Sequence, residues 1–372
     1  MAKNVMEYRI NRRTGDKISA LGFGTGYLAD VGKSAVDVLR CAYEGGINYY
    51  DLATSYAATY EYFREALGDV RKNIMIQAHF GNSYRNGGYA WTTNSDTIKR
   101  TVEWQLKTLN TDYIDYGFIH CLDETSDWNA YKKGGALRFL LDMHEQGVVR
   151  HLGLSSHTPA AARKVMEEVP LDMLMFSINP AYDYQQGDYG IGSVSERTAL
   201  YQKCQAEGIG ITVMKPFCGG QLLSAKHSPF GVALNHYQCV NYALDRPGVL
   251  TILPGMTTVQ QVKHLLGFFQ ASDTEKDYSV ISTFKPADAV GKCVYCNHCQ
   301  PCPAELDVGM INKFYDLSAH GDPMAIEHYK ALDKHAEDCI ECGHCNSRCP
   351  FGVDQLVRMK EIAAFFTERG VK

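Results

Sequence analysis

Eight of the 13 cysteines lie between residues 293 and 349. They form two runs: Cys293, Cys296, Cys299 and Cys302 followed by Pro303, then Cys339, Cys342, Cys345 and Cys349 followed by Pro350. Clustered cysteines in a chain of this kind point to metal rather than to disulfides. Thiolates at C-x2-C-x2-C spacing wrap three corners of a [4Fe–4S] cube, and where two cubes share a fold the fourth corner comes from the other run. The spacing assigns Cys293, Cys296, Cys299 and Cys349 to one cluster, and Cys339, Cys342, Cys345 and Cys302 to a second. One departure is that Cys302 stands three positions after Cys299, where the common pattern has four. Zinc would take four ligands from two C-x2-C pairs and leave a third cysteine in each run unused. The other five, Cys41, Cys121, Cys204, Cys218 and Cys239, are scattered singly, and a lone cysteine is expected to pack as a small apolar side chain.

A second set of residues is suited to moving protons. Asp51 and Tyr56 share the stretch Asp51-Leu52-Ala53-Thr54-Ser55-Tyr56, His79 lies in Ile76-Gln77-Ala78-His79, and His120 closes a run that opens at Tyr113. A free phenol has a pKa near 10, so it becomes a usable acid only beside cations and hydrogen-bond donors. A third set could hold an anion. Pro254-Gly255-Met256-Thr257-Thr258 runs into a helix start, whose free N–H groups favour phosphate, and Gly219 and Gly220 allow close backbone approach.

These residues need elements to hold them. Short apolar runs alternate with helical patterns over the first 270 or so residues. Strands are expected at 20–24, 47–51, 73–77, 113–120, 149–155, 172–177, 209–214 and 249–253. Helices are expected at 33–44, 59–67, 97–109, 135–146, 159–168, 195–207, 231–244 and 258–269. Eight strand–helix units at about 250 residues is the arithmetic of a (β/α)8 TIM barrel, whose chemistry sits at the C-terminal strand ends. A doubly wound sheet would want a Gly-rich turn opening a helix after the first strand, which Gly22–Gly26 does not supply. A hairpin before the first strand is placed to plug the barrel bottom. A polar linker follows at 272–276, then helices at 310–320, 323–334 and 354–369 around the cysteine runs. The expected domains are a barrel over 1–271 and an α-rich two-[4Fe–4S] domain of bacterial-ferredoxin type over 284–372.

The D-x-A-x-x-Y and Y-I-D…H stretches resemble the aldo-keto reductases. So do the hairpin, Gly153-Leu154-Ser155, the stretch from Lys215 to Gly220 and Leu253-Pro254-Gly255-Met256. With its tail the chain resembles the branch that carries a C-terminal ferredoxin-like 4Fe–4S domain. The resemblance implies Tyr56 as acid/base, Asp51 as orienting carboxylate and His120 as hydrogen-bond donor to a carbonyl. His79 takes the place of the family's usual Lys. Imidazole is only half charged near pH 6.5, so Lys215 is a second candidate cation. For a nicotinamide, the resemblance implies carboxamide contacts from Ser155, Ser156 and Asn179, with Met214 at the usual aromatic stacking place. Phosphate contacts would come from Lys215, Gly219, Gly220, Gly255, Met256 and Thr257. No cation precedes Lys263 on the last barrel helix, which leaves NAD, NADP and a flavin open. A nicotinamide moves two electrons as hydride and a cluster takes one, so direct exchange needs a converter such as flavin.

The function implied is an oxidoreductase that reduces a small carbonyl, or oxidises an alcohol or sugar, with the clusters as relay or structural element. An electron-transfer module and a non-redox lyase or isomerase are the alternatives. Aromatic loops at 82–91 and 182–190 suit a polyol, sugar or aromatic carbonyl as small-molecule substrate. A ferredoxin or another redox protein is the candidate partner. The formal charge of −5 and the lack of a basic run argue against nucleic acid. No apolar stretch reaches the 18 or so residues of a membrane helix, and no apolar leader opens the chain, so a cytoplasmic protein is expected.

Overall fold

A computed structural model describes every residue except 1–5, 86, 185–188, 284–292, 294–298, 320–322, 350–351 and 372. The chain divides into two compact units, one ending at Thr283 and the other running from Phe284.

The first unit is a (β/α)8 barrel. Its strands are β1 (Phe23–Gly24), β2 (Tyr49–Asp51), β3 (Met75–Phe80), β4 (Ile114–Ile119), β5 (Val149–Ser156), β6 (Met173–Ser177), β7 (Gly210–Met214) and β8 (Val249–Ile252). Each pairs in parallel with the next. Bridges from Leu21 to Ile252 and from Gly24 to Gly255 bring β8 back to β1. The barrel helices are α1 (Ala35–Glu44), α2 (Ala58–Leu67), α3 (Ser95–Leu109), α4 (Ala136–Glu145), α5 (Pro159–Glu168), α6 (Val194–Glu207), α7 (His236–Leu244) and α8 (Val259–Leu266). α3 starts where the Asn94 side chain accepts the Thr97 N–H at 2.9 Å, and it buries Ile98, Val102 and Leu109 at helical spacing.

Side chains alternate along a strand, so every second residue enters the barrel. Tyr49, Tyr116, Phe118, Met173, Met175 and Leu253 form the interior core. Ile18 joins them from the antiparallel hairpin of Tyr8–Ile10 and Lys17–Ser19, which closes the lower end as expected. The same parity carries Asp51, Gln77, His79, His120, Ser155, Ser177 and Met214 inward at and above this core. Gly153 belongs to this row because a Cβ there would run into the Phe118 ring.

Several boundaries differ from the sequence reading. β3 starts two residues later than expected, because Gly68–Asn73 forms a 3-10 turn, and it runs on to Phe80, so His79 is an interior strand residue. The stretch at 82–91 is not a loop but a hairpin, Asn82–Arg85 paired with Gly88–Trp91. α7 begins only at His236, where Asn235 and Gln238 make a reciprocal cap. The polar stretch at 272–276 is a helical turn, Asp273–Lys276, capped by Ser272 and Glu275.

The second unit is α-rich. Its helices are α9 (Val308–Ala319), α10 (Pro323–Lys330), α11 (His344–Arg348) and α12 (Gln355–Glu368). Tyr329 stacks face to face on Phe366 with centroids 3.6 Å apart, and Ile311, Met359 and Ile362 are buried. Among the described residues no helix is long and apolar enough to cross a membrane.

Candidate functional site

At the C-terminal end of the barrel four buried side chains form one hydrogen-bonded line. His79 Nε2 lies 2.7 Å from Asp51 Oδ1, His79 Nδ1 lies 2.8 Å from His120 Nδ1, and His120 Nε2 lies 2.8 Å from the Tyr89 hydroxyl. His79 has no exposed surface, and the other three are at most 4% exposed. Gln77 braces the base of the line. Its amide donates to Asp51 Oδ1 at 3.1 Å, while its carbonyl accepts from Tyr49 at 2.9 Å and from Thr212 at 3.3 Å. Tyr89 comes from the hairpin after β3, whose second strand is laced to the loop after β2 by the Tyr89 N–H to Ser55 O bond of 2.9 Å.

The line fixes its own tautomers. A carboxylate only accepts, so His79 Nε2 donates to Asp51. With both rings neutral, His79 Nδ1 accepts from His120 Nδ1–H, and His120 Nε2 accepts from the Tyr89 O–H. One added proton reverses every bond beyond His79: His120 Nε2–H then donates to the Tyr89 oxygen, and the phenolic hydrogen is released to face another acceptor.

Tyr56 stands apart. It is 39% exposed and its hydroxyl makes no hydrogen bond among the described residues. Its backbone pairs with Gly88 of the hairpin. Lys215 Nζ sits 4.2 Å from the centroid of the Tyr189 ring, and its backbone is left-handed at φ 56°.

The residues assigned to a nicotinamide carboxamide already have protein partners. Ser155 Oγ accepts the Cys121 N–H at 2.7 Å and lies 3.4 Å from His120 Nδ1. Ser156 Oγ donates to Asp123 at 3.2 Å. Asn179 caps the turn Pro180–Asp183 by accepting the Tyr182 N–H and donates to Lys215 O, both at 2.9 Å. The Ser177 hydroxyl, on the inward row of β6, is buried with no hydrogen-bond partner among the described residues and is a polar atom that a bound carboxamide would satisfy. Met214 packs on the interior core. For phosphate, Gly219 and Gly220 hold left-handed φ of 62° and 90° in the turn Cys218–Leu223. Gly255 passes close to the Tyr27 ring, and Met256 is buried. At the α8 start the Gln261 side chain takes the Thr257 and Thr258 N–H groups at 2.7 and 3.3 Å, so an anion there must displace it.

In the second unit Cys302, Cys339, Cys342 and Cys345 line one pocket with Leu306, Val308, Ile340, Leu356 and Met359. His344 lines it too, and its buried Nε2 has no hydrogen-bond partner among the described residues. Burial pushes the Cys345 thiol up, so a thiolate there calls for a bound cation. Four sulfurs in an apolar pocket with an unpaired ring nitrogen fit a cluster and its hydrogen bonds. Cys349 Sγ accepts the Val353 N–H at 3.4 Å and Cys293 Sγ accepts from the Gln355 amide at 3.6 Å, while Cys299 is buried. Cys296 lies outside the described residues. All the described cysteines are free thiols. Cys204 and Cys239 pack as expected for lone cysteines, and burial pushes both thiols up to about 12. Cys121 does not: it is only partly buried and stands beside Asp123 and His157.

The model of the aldo/keto reductase family matches residues 20–238. The chain belongs to that family. A second model, the 4Fe–4S dicluster domain, matches residues 289–353. Similar curated proteins include the uncharacterised oxidoreductase YqkF of Bacillus subtilis, 28% identical over 44% of this chain and 53% of that protein. L-glyceraldehyde 3-phosphate reductase of Escherichia coli is 24% identical over 60% of this chain and 64% of that protein. The chain thus spans less than two thirds of these relatives' lengths. Among solved structures, aldo-keto reductase AKR11C1 from Bacillus halodurans in its holo form aligns with a TM-score of 0.62 at 21% identity, covering 76% of this chain and 97% of that one. A Bombyx mori aldo-keto reductase in complex with NADP aligns at 0.51 with 16% identity, covering 76% of this chain and 98% of that one.

This aldo/keto reductase barrel thus draws Asp51, His79 and His120 together and leaves Tyr56 outside their hydrogen bonds. His120 has a protein partner on each ring nitrogen, so neither points at a free carbonyl site in this arrangement. Sequence reasoning missed Gln77 and Tyr89. Gln77 was visible as the strand residue two before His79. Tyr89 sat in a stretch already marked as aromatic, but nothing in its spacing distinguished it from Tyr84.

Proposed function

We propose that the chain is an oxidoreductase that reduces a small carbonyl, or oxidises the matching alcohol or sugar, and that Tyr89 is its acid/base. The observation that carries this reading is the unbroken line from Asp51 through His79 and His120 to Tyr89. In the charged form of the line the Tyr89 hydrogen would move to a carbonyl oxygen as that oxygen gains charge. His120 Nε2–H then refills Tyr89, and His79 Nδ1–H refills His120. The product is a hydroxyl group, and one proton has crossed with both imidazoles and the Tyr89 phenol left neutral. Alcohol oxidation runs the same shifts backwards. Asp51 stays ionised and holds His79 in its tautomer, and Gln77 holds Asp51.

Ser155, Ser177 and Asn179 would hold a nicotinamide carboxamide, and Met214 would offer its ring an apolar contact. Lys215, Gly219, Gly220, Gly255, Met256 and Thr257 would hold its phosphates. A nicotinamide bound there supplies or takes hydride. The NADP complex of the silk-moth relative favours a nicotinamide over a flavin, and the name of the glyceraldehyde phosphate reductase favours a short hydroxylated aldehyde. Cys293, Cys296, Cys299 and Cys349 would hold one [4Fe–4S] cluster, and Cys302, Cys339, Cys342 and Cys345 the other. A flavin would be needed to couple hydride to single electrons bound for a ferredoxin-like partner. We also propose a barrel domain over 1–271, a cluster domain over 284–372 and a cytoplasmic location.

The test is anaerobic turnover of NADH or NADPH with glyceraldehyde and related carbonyls, together with cofactor extraction. Tyr89→Phe is expected to lower kcat by roughly the 10²–10⁴-fold of a lost acid, with iron content unchanged. Tyr56→Phe is expected to stay within a few-fold of wild type. The reverse pattern would return the acid role to Tyr56, and nicotinamide-independent turnover would overturn the hydride reading.

A further inference from the structure

Cys121, Asp123 and His157 meet at the rim of the barrel, outside the proton line. The first two lie on the loop after β4, and His157 is the first residue past β5. Their ligand atoms all lie within 4.8 Å of one another. Cys121 Sγ is 3.9 Å from Asp123 Oδ2 and 4.0 Å from His157 Nδ1, and the latter two are 2.9 Å apart. From these contacts we propose that Cys121, Asp123 and His157 bind a zinc-class divalent ion with a fourth coordination position that none of the described residues fills.

The distances suit such an ion. Zinc bonds of about 2.3 Å to sulfur and about 2.0–2.2 Å to nitrogen and oxygen set tetrahedral edges of roughly 3.3–3.6 Å. The observed edges bracket that range and reach it by shifts of a few tenths of an ångström. One thiolate, one imidazole and one carboxylate form a borderline-soft donor set, which disfavours magnesium and calcium. Three protein ligands with a fourth place open is the pattern of catalytic rather than structural zinc.

The surroundings hold each ligand in place. Asp123 Oδ1 accepts the His157 N–H at 2.6 Å and the Ser156 hydroxyl at 3.2 Å, which turns Oδ2 toward the thiol and the imidazole. Carboxylates that ligate metals are oriented by outer hydrogen bonds of this kind. The His157 ring is stacked on Tyr189 at 4.2 Å, and the Cys121 backbone is tied to Ser155 at 2.7 Å.

The test uses the full chain, purified without oxygen and with its clusters loaded. The protein is incubated with Zn2+, desalted, and assayed for zinc and iron together. About one zinc per chain should remain on the wild type. Cys121→Ser and the isosteric Asp123→Asn should each retain at least tenfold less, with iron unchanged. Ser156→Ala should weaken zinc binding by roughly the 10–100-fold of a lost outer partner. With Co2+ in place of Zn2+, the wild type minus Cys121→Ser difference spectrum should show a near-ultraviolet thiolate-to-metal band. No retained zinc on the wild type overturns the proposal. Zinc retained equally by Cys121→Ser and Asp123→Asn overturns it as well, because that zinc would sit among the clustered cysteines. These outcomes do not depend on turnover, so they stand apart from the proton line.

Discussion

A lysine beside Asp51 would bring a fixed charge, whereas His79 brings two nitrogens on opposite edges of one ring. That difference lets His79 join Asp51 to His120 instead of only neutralising a neighbour. Histidine edges matter again in the second unit. His344 Nε2 is buried, with no hydrogen-bond partner among the described residues, in the pocket lined by Cys302, Cys339, Cys342 and Cys345. A ring N–H there is placed to donate to cluster sulfur, and such donors raise reduction potentials. His344→Leu should lower the potential of that one cluster and leave the iron content alone. A redox titration followed by EPR reads this directly, and an unmoved potential would remove His344 from the cluster's surroundings.

Strand parity does most of the positioning at the scale of elements. Once β3 is in register, Met75, Gln77 and His79 share the inward face, as do Tyr116, Phe118 and His120. Gly153 keeps this interior packed by leaving room for the Phe118 ring. Phe118 is fully buried and has nowhere to move. Gly153→Ala should therefore cost about 1–3 kcal/mol through overpacking, read as a lower urea midpoint with an unchanged slope. A variant as stable as wild type would show that the ring can shift. The strands were legible because their apolar runs are periodic and bounded. The hairpin Asn82–Arg85 with Gly88–Trp91 was not, because its polar and aromatic residues carry no clear alternation. Its pairing depends on the neighbouring loop, where Ser55 O receives the Tyr89 N–H.

The two cysteine runs cross over at the scale of the molecule. Cys302, from the first run, shares a pocket with Cys339, Cys342 and Cys345 of the second. Protein purified without oxygen should carry about eight irons and about eight labile sulfides. Cys302→Ser should damage the cluster of the second run, and Cys349→Ser the cluster of the first, each seen as loss of one EPR signal. Loss of the signal from the variant's own run instead would break the crossover. The spacing of the cysteines and the period of the apolar residues fixed the cluster chemistry and the barrel from sequence alone, since both are local patterns that the backbone geometry reads directly. Asp51, His79 and His120 were also legible, because each falls at or near a strand end. Which phenol completes their line, and that His157 meets Cys121 and Asp123 across two strand ends, were decided only by tertiary structure. Those contacts join residues 31 to 36 positions apart in the chain, and only the closing of the barrel sets their distances.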